Sequence, residues 1–315
     1  MKYIVEMKPD QVIQGDTYLV REKKTAVTKS GKEYLNIILQ DRTGQLECRI
    51  WEPDSPHIQK FEAMDYIAVT GKTSMFNGKL QATITAASVM DPGKLNKEDY
   101  YPVSKNNRKA MYGELREFMN SVENPYLKKL LQAFFEDKEL VKKFVNHSAA
   151  KSVHHGFIGG LLEHTLGVTR ICDFIAKSYP AVDRDLLITV SVLHDIGKLE
   201  ELSEFPVNDY TDCGQLLGHI MLGVEMIHDR ASRIEGFPAE LEMMVKHCII
   251  AHHGEYEYGS PKKPSTIEAM ALNLADNMDA KMEMLTEVLA ASPEEEISLG
   301  WNRYIDSYLF KTKLK

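Results

Sequence analysis

The chain has 315 residues, 43% of them hydrophobic, and a formal charge of −8 at pH 7, which is ample for two ordinary globular domains. No apolar run approaches the roughly 18 residues of a membrane span, and the N-terminus MKYIVEMKPDQ lacks a secretory pattern. The four cysteines (Cys48, Cys172, Cys213, Cys248) are scattered without a CxxC pair, so a reduced cytoplasmic location without a membrane partner is expected and a thiolate metal site is disfavoured.

Residues 16–91 read as strands. TYLVREKKTAVTKSGKEYLNIILQDRTGQLECRIW alternates apolar and polar residues between glycine turns, and DYIAVTGKTSMFNGKLQATITAASVM carries the hairpin signal Asn77-Gly78. Between them EPDSPHIQKFEAM reads as a turn and a short helix. Five strands with a helix after the third give the layout of a small Greek-key barrel of OB type, over residues 1–91. This pattern resembles nucleic-acid-binding OB domains, in which aromatics stack bases and basic residues follow the backbone. Tyr34, Trp51 and Phe76, with Arg49, Lys72 and Lys79, are the candidates here; barrel aromatics serving only as core are the alternative.

Residues 92–108 are polar, contain Pro92 and Pro102 and lack periodicity, which predicts a linker. A helical connector follows over 109–146, with a restart after Asn124-Pro125 and a third helix at 138–146. Helices continue over 147–290. In the tail, 291–315, Ser292-Pro293 before three glutamates reads as the first turn of a last helix.

Ten of the eleven histidines lie between His147 and His253. His164 shares a helix face with Leu161, Val168 and Ile171, and His219 with Leu216, Leu222 and Met226. Asp276 aligns with Ala269, Leu272 and Ala280. His194-Asp195 ends the apolar run LLITVSVL, and His252-His253 ends ELEMMVKHCIIA. A single histidine on an apolar face is usually a core residue bonded to a carbonyl. A buried aspartate is harder to accommodate, because its charge must be paired or bound to a cation. Five successive helices would each need a separate local partner, whereas one metal centre accounts for them together. The absence of cysteine at these positions fits a hydrolytic centre better than a structural zinc site.

The ordered set His164, His194-Asp195, Asp276, with GGLLEHT before the first member and LHDIGK around the second, resembles the H…HD…D signature of the HD phosphohydrolase superfamily, an all-helical metal-dependent fold. The stretch HHGEYEYGSPKKPSTIEAMALNLADNMDAK resembles the YhaM-type 3′→5′ exoribonucleases, which likewise join an N-terminal OB domain to a C-terminal HD domain. That resemblance spans nearly the whole chain, most closely from His154 to Lys281. The Gly-Tyr-Pro element of the cyclic-dinucleotide branch is missing from the loop after His252-His253. The expected architecture is therefore an all-β barrel followed by an all-α HD domain.

The resemblance implies a first metal on His164, His194, Asp195 and Asp276, and a second on His219, His252 and His253 with Asp195 as the bridge. Two divalent cations, Mn²⁺ by analogy with similar enzymes, would then act at a phosphodiester. Asp195 is the central catalytic ligand, and Lys198 a phosphate contact whose alternative is a cation at a helix end. His155, with His154 beside it, and Glu255, Tyr256 and Tyr258 form the candidate substrate loops; His147, His228 and His247 read as structural. The implied activity is 3′→5′ hydrolysis of single-stranded RNA to nucleoside 5′-monophosphates, with single-stranded DNA as a further substrate and a homo-oligomer left open. The competing expectations are a nucleotide or cyclic-dinucleotide phosphohydrolase and a single-strand-binding protein with an inactive HD domain.

Overall fold

The computed structural model describes every residue except 152–155, 206, 294, 304 and 313–315, and the side chain at 291. The chain divides into two compact units, Met1–Val103 and Ser104–Lys315.

In the first unit β1 (Val12–Val27), β2 (Glu33–Asp41), β3 (Gly44–Ile50), β4 (Tyr66–Phe76) and β5 (Lys79–Val89) close into a barrel in the order β1-β2-β3-β5-β4. The alternation in the sequence is what closes it. Along β3, Leu46, Cys48 and Ile50 point inward while Glu47 and Arg49 point out. Ile37 and Leu39 of β2, Ile67 and Val69 of β4, and Ile84 of β5 complete the inner face with Tyr18. Each such side chain contributes about 1.5–3 kcal/mol on burial, and closure leaves no free edge. Asn77 and Gly78 take φ of 49° and 77°, the two positive values that a two-residue hairpin turn requires. At Gly71 the strands approach so closely that a Cβ would lie 2.3 Å from the Thr83 carbonyl oxygen.

Two expectations for this unit are corrected. Residues 51–65 contain no helix. Pro53 and Pro56 interrupt the segment, and it runs extended beside β5, where Ile58 bridges Ala87 and the Ala87 N–H donates to the His57 carbonyl at 2.9 Å. The segment after β5 is also more than a linker. Tyr100 and Tyr101 are buried; Tyr101 shares a 2.7 Å hydroxyl hydrogen bond with Tyr66, and Tyr100 stacks edge-on against the same ring.

The second unit contains α1 (Arg108–Asn120), α2 (Pro125–Phe135), α3 (Lys138–Asn146), α4 (Gly160–Ser178), α5 (Arg184–Leu193), α6 (Lys198–Glu201), α7 (Asp212–Ala231), α8 (Ala239–Ala251) and α9 (Ile267–Ala291). Asn107, Asn124, Asp137, Asp183, Thr211 and Thr266 cap α1, α2, α3, α5, α7 and α9, each side chain accepting a first-turn N–H. Every residue of α5 from Leu186 to Leu193 is buried, so this helix is the axis around which the others pack. Among the described residues no helix is long and apolar enough to cross a membrane.

Among the described residues of the tail, the expected last helix is not found. β6 (Ser298–Asn302) and β7 (Ser307–Phe310) form a two-stranded sheet in which Trp301 and Tyr308 stack edge-on. Gly300 and Asp306 adopt positive φ, a conformation no helix interior accepts, and this outweighs the capping signal of Ser292-Pro293-Glu. Pro293 instead lies just past the end of α9.

Two glycines test the packing. Gly197 has helical dihedrals, but a Cβ there would sit 2.0 Å from the His219 carbonyl oxygen and 2.6 Å from the Gly223 nitrogen. Gly197→Ala is expected to destabilise the helical unit by about 1–3 kcal/mol. Gly113, in α1, has open space where its Cβ would go, and Gly113→Ala is expected to stabilise by about 0.5–1 kcal/mol. Urea unfolding of the two variants should shift in opposite directions.

Candidate metal centre

Five elements bring their polar residues to one place. His164 comes from α4, His194 and Asp195 from the turn after α5, His219 from α7, His252 and His253 from the end of α8, and Asp276 from α9. His164 Nε2 lies 3.1 Å from Asp276 Oδ1, 3.2 Å from His194 Nε2 and 3.4 Å from Asp195 Oδ2. On the other side of the same carboxylate, Asp195 Oδ1 is 3.5 Å from His219 Nε2 and 3.8 Å from His252 Nε2. Two groups of donor atoms result, His164–His194–Asp276 and His219–His252–His253, each with its atoms within 4.8 Å of one another. Asp195 stands between them, one oxygen to each.

Local features of the chain create this geometry. Gly197 lets the His194–Lys198 turn press against the α7 backbone at His219. Gly218, with φ of 72° and ψ of 160°, kinks α7 just before His219. The kink overturns the predicted apolar face, since Leu216 lies in the preceding half and is 83% exposed. It also turns the His219 N–H onto Glu201 Oε1 at 2.9 Å. The His252–His253 turn is tied to α9 by Asn273, whose amide donates to the His252 carbonyl at 2.7 Å.

All five histidines are oriented alike. Nδ1 of His194, His252 and His253 donates to the carbonyls of Ser191, Ile249 and Tyr258 at 2.7, 2.6 and 2.8 Å. Nδ1 of His164 donates to Asp279 Oδ2 at 2.7 Å, and that of His219 to Glu201 Oε1 at 3.0 Å. Because every one of these acceptors is a carbonyl or carboxylate oxygen, Nδ1 carries the proton and Nε2 is the atom presented to the centre. Both Asp195 carboxylate oxygens and the Nε2 atoms of His219 and His252 are buried without a well-directed hydrogen bond. Of these, Asp195 Oδ2 has the Lys198 ammonium at 2.6 Å; the other three are orphaned, which is costly in a native fold, and a cation in their midst would satisfy them. The imidazole and carboxylate donors suit a first-row divalent metal.

The charges are consistent with such a site. Burial alone would raise the Asp195 carboxyl, but the Lys198 ammonium, whose Nζ is 2.6 Å from Oδ2, and the adjoining imidazoles outweigh it and hold the group well below the ordinary range. Burial would similarly raise Asp276, yet His164 leads the neighbours that keep it low. Burial opposes the charge on His164, and the carboxylates of Asp195, Asp276 and Asp279 overcome it, so its pKa lies well above 6.5. His252 lies well below, first through burial and then through the charge of His253.

Asp279 and Glu201 escaped the sequence reading. Asp279 stands three residues after Asp276, so one face of α9 meets both nitrogens of His164. Gly167 on α4 makes the room, since a Cβ there would fall 2.0 Å from Asp279 Oδ1. A carboxylate one turn from a suspected ligand was the available signal. Glu201 carried none, because its role depends on the kink in α7.

His155 and His154 fall outside the described residues. Glu255 pairs with Lys263 at 2.5 Å, and Tyr256 is exposed beneath the same lysine. Tyr258 contributes its carbonyl to His253 while its ring is exposed. His147 is buried between the Ser148 and Leu202 carbonyls, His228 pairs with Glu242, and His247 accepts from the Ser265 N–H.

In the barrel unit, Tyr34, Arg49 and Trp51 share the outer face of β2 and β3, with Lys72 and Phe76 on the corresponding face of β4. Tyr34 and Trp51 have ring centroids 4.9 Å apart, and the Arg49 guanidinium lies 5.6 Å from the Trp51 ring and 5.2 Å from that of Phe76. Trp51 and Phe76 are 40% and 49% exposed, so they form a surface aromatic cluster and not core. Lys72 is exposed and paired with Asp10 at 3.0 Å; Lys79 flanks the β4–β5 turn.

The HD domain family matches residues 161–281, and the OB-fold nucleic acid binding domain family matches residues 19–90. The chain is 34% identical to the 3′-5′ exoribonuclease YhaM of Oceanobacillus iheyensis, over 86% of this chain and 85% of that one. It is 32% identical to the protein of the same name from Geobacillus sp., over 88% and 85%, and 30% identical to that of Bacillus subtilis, over 88% of each.

The charge arrangement sets an expectation for the metal-free protein. In ¹⁵N spectra His164 should remain an imidazolium as the pH rises past its ordinary value of about 6.5, while His252 should stay neutral as the pH falls below it. A His164 resonance titrating at the ordinary histidine value would contradict the three-carboxylate cradle.

Proposed function

Because the chain belongs to the YhaM 3′-5′ exoribonuclease family, we propose that it is a cytoplasmic, metal-dependent enzyme that shortens single-stranded RNA from its 3′ end. The observation that carries this reading is the buried Asp195 carboxylate with one oxygen turned to each histidine group. The barrel unit binds the strand and the helical unit hydrolyses it. Single-stranded DNA, whose backbone offers the same scissile phosphate, is a second substrate.

His164, His194, Asp195 and Asp276 would hold one cation, and Asp195, His219, His252 and His253 a second, with Mn²⁺ suited to this mixed imidazole–carboxylate set. Such a pair supplies a water that is deprotonated near neutral pH and positive charge against the phosphodiester oxygens. Asp279 and Glu201 hold His164 and His219 in the orientation that directs Nε2 inward. Lys198 keeps its ammonium although buried, because Asp195 outweighs the desolvation. Once Asp195 is engaged by cations, Lys198 is the group placed to hold a phosphate oxygen as a point charge. Hydrolysis adds the water oxygen to phosphorus and breaks its bond to the 3′ oxygen of the preceding nucleotide. A nucleoside 5′-monophosphate leaves, and the shortened strand has a new 3′-hydroxyl. On the barrel, Trp51, Tyr34 and Phe76 would stack bases and Arg49 and Lys72 would face the backbone.

Nothing in the comparisons favours a nucleotide hydrolase or an inactive scaffold. A 5′-labelled RNA in Mn²⁺ should give a ladder shrinking from the 3′ end, absent with Asp195→Ala. Intact RNA together with turnover of free nucleotides would reverse the assignment. Trp51→Ala and Phe76→Ala should each weaken oligonucleotide binding by about 1–3 kcal/mol without altering metal content.

Metal loading should release protons. His164 is charged in the metal-free centre and must be neutral to ligate, so metal affinity should rise with pH until that group is neutral. Calorimetry in buffers of different ionisation enthalpy measures this directly. Asp279→Ala should cost roughly 10–100-fold in metal affinity, and Asp279→Asn, which keeps an acceptor for Nδ1, should cost less.

A further inference from the structure

A cavity of about 370 Å³ opens beside the histidine centre, within the size range of small-ligand sites. Its lining includes Lys198, His219 and His253 from the centre, and Ala150, Lys151 and Tyr210 from two segments the mechanism has not used. Those segments are locked together. Asn208 is buried with φ of 44°, and its amide donates to the Ala150 and Lys151 carbonyls at 3.1 Å each while its oxygen meets the Ser148 hydroxyl. His147 spans the same gap, with Nε2 at 3.2 Å from the Leu202 carbonyl. Tyr210 bridges Leu202 through its backbone, yet its side chain is left 45% exposed. Lys151 Nζ lies 2.6 Å from Asp209 Oδ1 and 6.0 Å from the centroid of the Tyr210 ring.

The walls therefore differ in chemistry. Lys198 and the imidazoles suit a phosphate, with the Glu201 carboxylate occupied by His219, and Tyr210 offers an aromatic ring on a pinned backbone that suits a base. A buried asparagine in a left-handed conformation is a demanding way to hold an exposed ring, and fold stability alone gives no reason to keep that ring at the mouth of the cavity.

We propose that this cavity is the subsite for the 3′-terminal nucleotide, the one released as the monophosphate, with Tyr210 stacking its base while Lys198 and the centre hold its phosphate. Lys151, paired with Asp209, steadies the ring and supplies positive charge at the rim. Since stacking needs only a π-face, the subsite accepts any of the four bases. The assignment deepens the exonuclease reading and rests on it.

The test uses the full-length protein loaded with Mn²⁺ and two 5′-labelled RNA oligonucleotides, one normal and one lacking only the base of its 3′-terminal nucleotide. Tyr210→Ala is expected to raise KM by roughly 5- to 100-fold with little change in kcat, and Tyr210→Phe, which keeps the ring, to resemble the parent. Loss of the terminal base should cost the parent a similar factor and cost Tyr210→Ala nothing further. Metal content should be the same in all three proteins. Equal impairment of the Phe and Ala variants, parental kinetics for Tyr210→Ala, or an undiminished penalty for the missing base in that variant would each overturn the assignment. In those cases the parent still shortens normal RNA, so the exonuclease reading stands. Failure of the parent to shorten normal RNA would remove both.

Discussion

The helical unit is organised around a single buried carboxylate. Asp195 is 2% exposed, and an isolated charge at that depth would cost several kcal/mol. Lys198 offsets it on one side, while two sets of imidazoles approach its two oxygens on the other. Every element that reaches the centre is constrained by that requirement. α5 carries it at the end of a buried stem, α4 delivers His164 against Oδ2 with Asp276 of α9 behind that imidazole, and α7 and α8 deliver His219 and His252 against Oδ1.

The surrounding shell makes those approaches specific. Oxygen acceptors behind each imidazole fix which nitrogen faces inward, and two of them, Asp279 and Glu201, are themselves carboxylates. Such partners raise the basicity of a ligand as well as orienting it. Small residues set how near the backbones come. Gly167 leaves space for Asp279, and Gly197 admits the α7 backbone at His219. The centre thus depends on what is absent at two glycines as much as on the groups present.

The barrel uses a different physical principle. Its inner face is apolar, so the outer face is free to carry Trp51, Phe76 and Arg49 without affecting closure. Aromatic and guanidinium planes in contact are already partly desolvated, which lowers the cost of stacking a base on them. Tyr210 in the helical unit is the same device in a different setting, an exposed ring on a constrained backbone. On the readings proposed for the two units, recognition would rely on planar surfaces and phosphate charge, with little reading of base edges.

Much of this was legible in the linear sequence, for identifiable reasons. The barrel follows from two-residue alternation and from Asn77-Gly78, both local properties. The residues of the centre were legible because costly polar groups at the ends or on the faces of apolar helices need a shared explanation, and seven of them converge. The residues missed were those whose neighbours are distant in the chain. Asp279 and Glu201 act through contacts 115 and 18 residues away, and Tyr100-Tyr101 read as linker because Tyr66, which both rings meet, lies some 35 residues earlier in the chain. In the tail, a capping signal at Ser292-Pro293 lost to the positive φ of Gly300 and Asp306 and to the pairing of Trp301 with Tyr308.

The sequence by itself determined the two classes of unit, the strand faces and the inventory of side chains that meet at the centre, since periodicity and the cost of burying charge are written residue by residue. Only the tertiary structure decided how the histidines divide between the two oxygens of Asp195, which nitrogen each presents, and where a nucleotide-sized space adjoins them. Those are relations among five separate elements, set by backbone approach at Gly167, Gly197 and Gly218, and no local pattern encodes them.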